Sequence, residues 1–233
     1  GINLGDVTID LPAVLKRKDK VVQQNAGGVA YLLKKNKVKT FNGFGSLLGG
    51  GQVKVSNADG HQTIQARHVI LATGSDPRHL PGFEVDGQTI MTSDELLELK
   101  TMPQHLLVLG AGAVGCEFAS VFRSFGTKVT LVELQDRMVP LEDEQVSQEF
   151  AKIFKRRGVD VHTNTLCAKL EKVEKGVRAR LEPKGGKAIS VTASHCLVAI
   201  GRRPLTDAIG LEKTKVKVER GFVHVDAYGQ TAE

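Results

Sequence analysis

Gly110, Gly112 and Gly115 are spaced as GxGxxG and follow directly on the leucine-rich run Leu106–Leu109. About twenty residues further on, Glu133 closes a second apolar run, Lys128–Val132. A lone GxGxxG says little. With a strand before it, a helix after it and an acid at the end of the next strand, it reads as a dinucleotide site. Gly110 lets the chain turn sharply out of the strand, Gly112 has no Cβ to keep a pyrophosphate from the backbone, and Gly115 lets the helix lie close on the sheet. The helix is expected to start near Ala113, with its free N–H groups and dipole facing the phosphates. Glu133 can accept hydrogen bonds from a ribose diol and repels a 2′-phosphate, which favours NAD over NADP. Arg137, in the following turn, is the only nearby residue that argues for NADP.

Other chemistries find little support. Net charge is +6, but the basic residues are scattered, with short knots at Lys16–Lys20, Lys34–Lys37 and Lys155–Arg157. Only 5% of residues are aromatic, too few for the stacking surface that nucleic-acid binding needs, so the knots read as solvated helix faces. Cys116, Cys167 and Cys196 are far apart, odd in number and without CxxC, which indicates neither a disulfide framework nor a zinc site. Cys116 follows the glycine motif, where a helix N-terminus could activate a thiol, but it reads better as a small buried residue facing the sheet. The histidines show no metal-ligand spacing, and no metal role is assigned. No apolar run approaches the length of a membrane span, and no signal peptide is recognisable. With 233 residues, 41% hydrophobic and 25% charged, the chain is expected to form one large or two small soluble domains. It opens on Gly1 and stops at Ala232–Glu233, and it reads as an internal piece of a longer protein.

The elements that must position the glycines follow from periodicity. Leu11–Asn36 is expected as one long helix, capped by Asp10, with Gly27–Gly28 marking either a close crossing or a break. Val38–Phe41, Gln52–Val55, Gln62–Gln65 and His68–Leu71 read as short strands. Asp76–Gly87 reads as a linker and Thr92–Leu99 as a short helix capped by Thr92 or Ser93. Glu144–Arg157 is a helix stopped by Gly158, and Val159–His162 completes a parallel β-α-β-α-β core. Lys169–Val173, Val177–Leu181 and Ala188–Thr192 read as an antiparallel meander, Cys196–Ile200 as a last apolar strand, and Val216–Val218 with Phe222–Val225 as a hairpin. The fold class is therefore α/β, Rossmann-like.

Together ATGS at Ala72–Ser75, GAGAVGCE at Gly110–Glu117, VE at Val132–Glu133 and AIGRRP at Ala199–Pro204 form an ordered set. The set resembles the flavoprotein disulfide reductases with two dinucleotide domains, the class I pyridine nucleotide-disulfide oxidoreductases. GGVAYLLKKNKV at Gly27–Val38 and NGFG at Asn42–Gly45 are most similar to the branch that oxidises dihydrolipoamide. The likeness runs over essentially the whole chain. It implies FAD and NAD as cofactors and three segments: a partial FAD domain over 1–75, an NAD domain over 76–204, and a return to the FAD or central domain over 205–233. It further implies that Gly110, Ala111, Gly112, Ala113, Val114, Gly115, Cys116 and Glu117 hold the NAD pyrophosphate. Glu133 would hold the adenosine ribose, Cys167 would meet adenine through its backbone, and Gly201 would lie near the nicotinamide. Gly45, Thr73, Gly74 and Ser75 would line FAD. Ala113 stands where glutathione-reducing relatives carry an aromatic gate, and Glu117 where the family keeps an acid near the nicotinamide, although a plain helix-surface role also suits it.

The likeness also implies partners: dihydrolipoamide on a lipoyl domain, a 2-oxo acid dehydrogenase complex, and a second copy of the full-length chain. It implies a bacterial cytoplasm or a mitochondrial matrix. These 233 residues contain no CxxxxC, no second GxGxxG and no recognisable His–Glu acid–base pair, so no catalytic residue is assigned. A module that binds NAD(H) without turnover, and a sibling acting on glutathione or mercuric ion, are the alternatives. The long helix and the 37–71 strands are expected to leave apolar edges exposed, which favours aggregation.

Overall fold

The computed structural model describes residue 5 and residues 7–233. Helix α1 (Leu11–Lys35) leads into strands β1 (Phe44–Gly49), β2 (Gln52–Asn57), β3 (Gly60–Gln65) and β4 (Ser75–Pro77). Then come β5 (Ile90–Met91), α2 (Ser93–Leu96), β6 (His105–Leu109), α3 (Ala113–Ser124), β7 (Lys128–Val132), α4 (Glu144–Arg156) and β8 (Asp160–His162). The chain continues through β9 (Thr165–Val173), β10 (Gly176–Pro183), β11 (Ile189–Ala193), β12 (His195–Val198) and β13 (Arg202–Pro204). It ends with β14 (Val218–Glu219) and β15 (Phe222–Val223). Two compact units result. The first holds Pro77–Gly201 with the described residues up to Lys18, and the second holds Asp19–Asp76 with Arg202–Glu233.

The first unit is built on a parallel sheet in the order β5-β12-β6-β7-β8. Strand alternation divides its side chains between two layers. Leu106, Val108, Val129 and Leu131 pack with Cys116, Ala119 and Phe122 of α3 and Phe154 of α4. Leu107, Leu109, Val132, Cys196 and Val198 pack on the other side with Leu170, Val177, Ala179, Leu181 and Ala193 of the antiparallel sheet β11-β10-β9. A strand covered on both faces needs an almost continuous apolar run, which is what HLLVL and HCLV supply. The helix ends are sharply defined. Asp143 accepts the N–H groups of Gln145 and Val146 at the start of α4, and Gly158 takes φ +80° just past its end. Thr92 and Glu95 form a reciprocal capping box on α2.

The expected linker Asp76–Gly87 is more ordered than its prolines suggest: Asp76 and Pro77 belong to β4, and the Asp86 and Gly87 N–H groups donate to the Ile90 carbonyl. Ser75–Pro77 pairs with β13, and Ile90–Met91 adds an edge strand to the parallel sheet. The edge strand was missed because two residues give no period to read.

In the second unit β1-β2-β3 form an antiparallel meander, and β14-β15 a short hairpin. Two expected strands do not form. Val38–Phe41 and His68–Leu71 have no regular secondary structure. Ile70 is 89% exposed and Val38 is 51% exposed. A strand is defined by its neighbours' hydrogen bonds, and among the described residues no strand lies beside either segment. Helix α1 has no buried residue and runs unbroken through Gly27–Gly28. A Cβ on either glycine would meet nothing within 4 Å, so no break is found, and no close crossing among the described residues. Interior glycines cost about 1 kcal/mol each, too little to interrupt so long a helix.

Candidate dinucleotide-binding site

The glycine loop leaves the C-terminal end of β6, where the neighbouring strands β7 and β12 are reached by connections that diverge to either side. Such a divergence opens a crevice beyond the strand ends. The three glycines play different parts there. Gly110 has φ +101°, and a Cβ on it would collide with the Ala199 carbonyl. A Cβ on Gly115 would collide with the Gly110 carbonyl oxygen and come within 3.3 Å of Val108 Cγ1. Those two positions are closed. Gly112 is open: a Cβ there would meet nothing within 4 Å. Gly112 is also the N-cap of α3, and among the described residues no side-chain cap bonds the start of that helix. The cradle thus has the donors and the space that an anionic diphosphate needs.

Glu133 lies at the end of β7 and is 9% exposed. One carboxylate oxygen accepts the Ala111 N–H at 2.7 Å and the other the Gln135 N–H at 2.8 Å. Each oxygen keeps a further lone pair, so a ribose diol can still be accepted. Arg137 turns back on its own loop, where Nη2 donates to the Pro140 carbonyl at 3.1 Å. The Thr165 N–H donates to the Glu133 carbonyl at 2.9 Å, which starts β9 beside the acid and places Cys167 further along the same strand. Ala113 and Glu117 are exposed on the first turns of α3, and Val114 is half-buried. Gly201, exposed at φ +114°, follows β12 at the same end of the sheet.

Burial holds all three cysteine thiols toward their protonated form. Burial, then the charges of Glu133 and Glu117, push Cys116 up to about 12. Its thiol donates to the Ala111 carbonyl at 3.3 Å. Burial raises Cys167 to about 11 and moves Cys196 well up.

The residues expected to line FAD belong to the second unit. Thr73 and Gly74 (φ +81°) form part of the wall of a cavity of about 920 Å³, together with apolar residues such as Leu47, Leu71, Ile209 and Val223. Ser75 and Gly45 are not among its walls. The Ser75 hydroxyl accepts Arg202 Nε–H at 2.7 Å, and Gly45 stands opposite Val55 in the β1-β2 pair. The structure therefore brings together two of these four residues. Sequence reasoning missed the residues that brace the glycine loop. The Ala111 carbonyl accepts the Val139 N–H at 2.8 Å, and Val139 holds φ +41°.

Fold and site define an α/β protein of the dinucleotide-binding class. The chain matches the pyridine nucleotide-disulphide oxidoreductase family over residues 5–233 and belongs to it. Members of this family use FAD and NAD. The chain is 41% identical over 233 residues to a dihydrolipoyl dehydrogenase of Chlorobaculum tepidum, covering 100% of this chain and 50% of the relative. LpdA from Mycobacterium tuberculosis superposes with a TM-score of 0.86 at 30% identity, covering 98% of this chain and 50% of LpdA. The HOCl-induced flavoprotein disulfide reductase RclA from Escherichia coli superposes with a TM-score of 0.78 at 27% identity, covering 94% and 49%. The chain spans about half the length of the curated relatives it matches.

Proposed function

We propose that these residues are part of a dihydrolipoyl dehydrogenase and supply its NAD site. The observation that carries the reading is the contrast within the glycine loop: Gly110 and Gly115 are closed by backbone, while Gly112 is open above an uncapped helix start. The N–H groups of the first turn of α3 would hold the pyrophosphate, and Glu133 would accept the adenosine ribose hydroxyls. Cys167 would present its backbone to adenine, and Gly201 and Glu117 would lie toward the nicotinamide. When bound, the nicotinamide supplies hydride acceptance; the residues present here bind and orient it. Thr73 and Gly74 would face FAD across the cavity wall. The segments 1–75, 76–204 and 205–233 would belong in turn to the FAD domain, the NAD domain, and the FAD or central domain. The redox disulfide and the acid–base histidine that this reaction requires are assigned outside these residues. Dihydrolipoamide on a lipoyl domain, a 2-oxo acid dehydrogenase complex and a second copy of the full-length chain are the proposed partners, in a bacterial cytoplasm or a mitochondrial matrix.

The likeness to RclA supports a sibling reductase as the second reading. Assays of the full-length protein with dihydrolipoamide and NAD⁺, against glutathione disulfide and mercuric ion with NADH, separate the two. Lipoamide-dependent reduction of NAD⁺ is expected to dominate. NADH should bind more tightly than NADPH by roughly tenfold or more, as expected where a carboxylate opposes a phosphate. Equal affinities would overturn the NAD assignment.

A further inference from the structure

The Ala111 peptide, in the middle of the glycine loop, is bonded on both sides. Its N–H donates to Glu133 Oε2 at 2.7 Å. Its carbonyl accepts the Val139 N–H at 2.8 Å and the Cys116 thiol at 3.3 Å. Ala111 is wholly buried. Next to it, the Gly110 N–H is bonded to the Val132 carbonyl at 2.8 Å. The loop is therefore tied to the end of β7, to α3 and to the segment after β7 before any nucleotide arrives.

Val139 is held in a strained conformation. A β-branched residue at φ +41° lies in the left-handed region that such side chains avoid, at a cost on the order of 1–3 kcal/mol. In this conformation its N–H reaches Ala111, while its carbonyl accepts the Ser147 hydroxyl at 3.3 Å and the Glu142 N–H at 2.9 Å. Hydrogen bonds on both sides of Val139 offset the strain and hold its N–H against the loop. Glu133 is the charged member of the set, and both its oxygens are engaged by backbone donors. Hydrogen bonds to a charged acceptor are the stronger kind.

We propose that Glu133 is a positioning residue of the phosphate cradle as well as an acceptor for the ribose: its carboxylate, opposite the Val139 N–H, fixes the Ala111 peptide and so sets the shape of the loop beneath the pyrophosphate. This rests on the NAD reading of the site. It carries a consequence for specificity. Exchanging Glu133 to admit a 2′-phosphate also releases the loop, so the exchange weakens binding of both nucleotides unless another acceptor replaces the carboxylate.

The test uses the full-length oxidised protein and two ligands, NAD⁺ and its analogue lacking both adenosine ribose hydroxyls, titrated by calorimetry into wild type, Glu133→Gln and Glu133→Ala. The analogue removes the ribose role and leaves the loop role. Glu133→Ala should weaken the analogue roughly tenfold, the loss expected when one partner of a buried hydrogen bond is deleted. Glu133→Gln keeps an acceptor oxygen for Ala111 and should recover part of that loss. Equal affinity of the analogue for wild type and both variants would overturn the proposal. Amide hydrogen exchange in the peptide 106–116, without ligand, supplies the second readout. Exchange should quicken in Glu133→Ala while the β9-β10-β11 peptides stay unchanged; uniform quickening, or none, would overturn it. If wild type binds neither ligand, the NAD reading fails and the exchange experiment alone decides the loop role.

Discussion

In the first unit, β6 lies between β12 and β7 with an apolar layer on each face, and Leu106, Leu107 and Val108 are inaccessible to solvent. In the second unit, Val69–Ile70–Leu71 is as apolar a run, yet it forms no strand and leaves Ile70 89% exposed. The two runs have similar residues and different surroundings. An apolar run states a tendency to be buried, and the neighbours decide whether it becomes a strand. Helices differ in the same way: α3 buries Gly115, Cys116, Ala119 and Phe122, whereas α1, whose residues are divided between the two units, buries nothing.

The largest expected effect puts a number on this contrast. In this chain Leu197→Ala, at a site with 0% exposure, should destabilise the first unit by about 2–5 kcal/mol. Ile70→Ala should change stability by less than about 0.5 kcal/mol, as at an exposed site. Denaturant unfolding of both variants checks the pair; a cost for Ile70→Ala as large as that for Leu197→Ala would erase the distinction between the units.

A smaller effect is expected inside the glycine loop. Gly115→Ala forces a methyl against the Gly110 carbonyl, where backbone cannot yield cheaply, so about 1–3 kcal/mol of stability should go along with NAD⁺ binding. Gly112→Ala places its methyl in open space, so the unfolding midpoint should stay put while NAD⁺ affinity falls roughly tenfold, the methyl occupying the place proposed for the phosphate. Both measurements on both variants are needed: equal stability losses would mean that the two glycines do the same thing.

How much was legible in the sequence follows from the same physics. The Rossmann core could be read because β6, α3, β7 and α4 each carry a long apolar run or a stripe bounded by glycine or a capping residue. Gly110 and Gly115 could be read because the backbone around them leaves no room for a side chain. Strand β5 could not, because two residues have no period. The engagement of Glu133 with Ala111 could not either: the bond joins residues whose proximity depends on β6 and β7 lying side by side. Val139 was illegible for a further reason. A valine gives no sign of a left-handed backbone, since its own preference opposes it.

The smallest effect compares two carboxylates that organise loops, one in each unit. Asp86 Oδ1 accepts the N–H groups of Gln88, Thr89 and Ile90 at 2.7–2.9 Å, and Lys172 pairs with its other oxygen. Burial alone would raise this carboxyl. The Lys172 ammonium and the three N–H donors outweigh burial and hold the carboxyl far below the usual carboxylate range. A carboxyl depressed in the folded state contributes stability above its unfolded pKa, about 3.9, and loses that contribution as pH falls through its folded value. Its side chain is 24% exposed but that of Lys172 is 57% exposed, so water screens the ion pair and the three N–H donors supply most of the contribution; Asp86→Asn should cost about 1–2 kcal/mol at pH 7. The cost should be undiminished down to about pH 4 and shrink only below it. Asp226, exposed in the second unit, accepts the Tyr228 and Gln230 N–H groups at 2.9 Å. Asp226→Asn should cost less than about 0.5 kcal/mol, because water replaces what the carboxylate gives at an exposed site. Unfolding of both variants between pH 3 and pH 7 checks this. Equal costs, or an Asp86→Asn cost that falls away well above pH 4, would mean that the Lys172 pair and the three donors do not hold the charge as the geometry indicates.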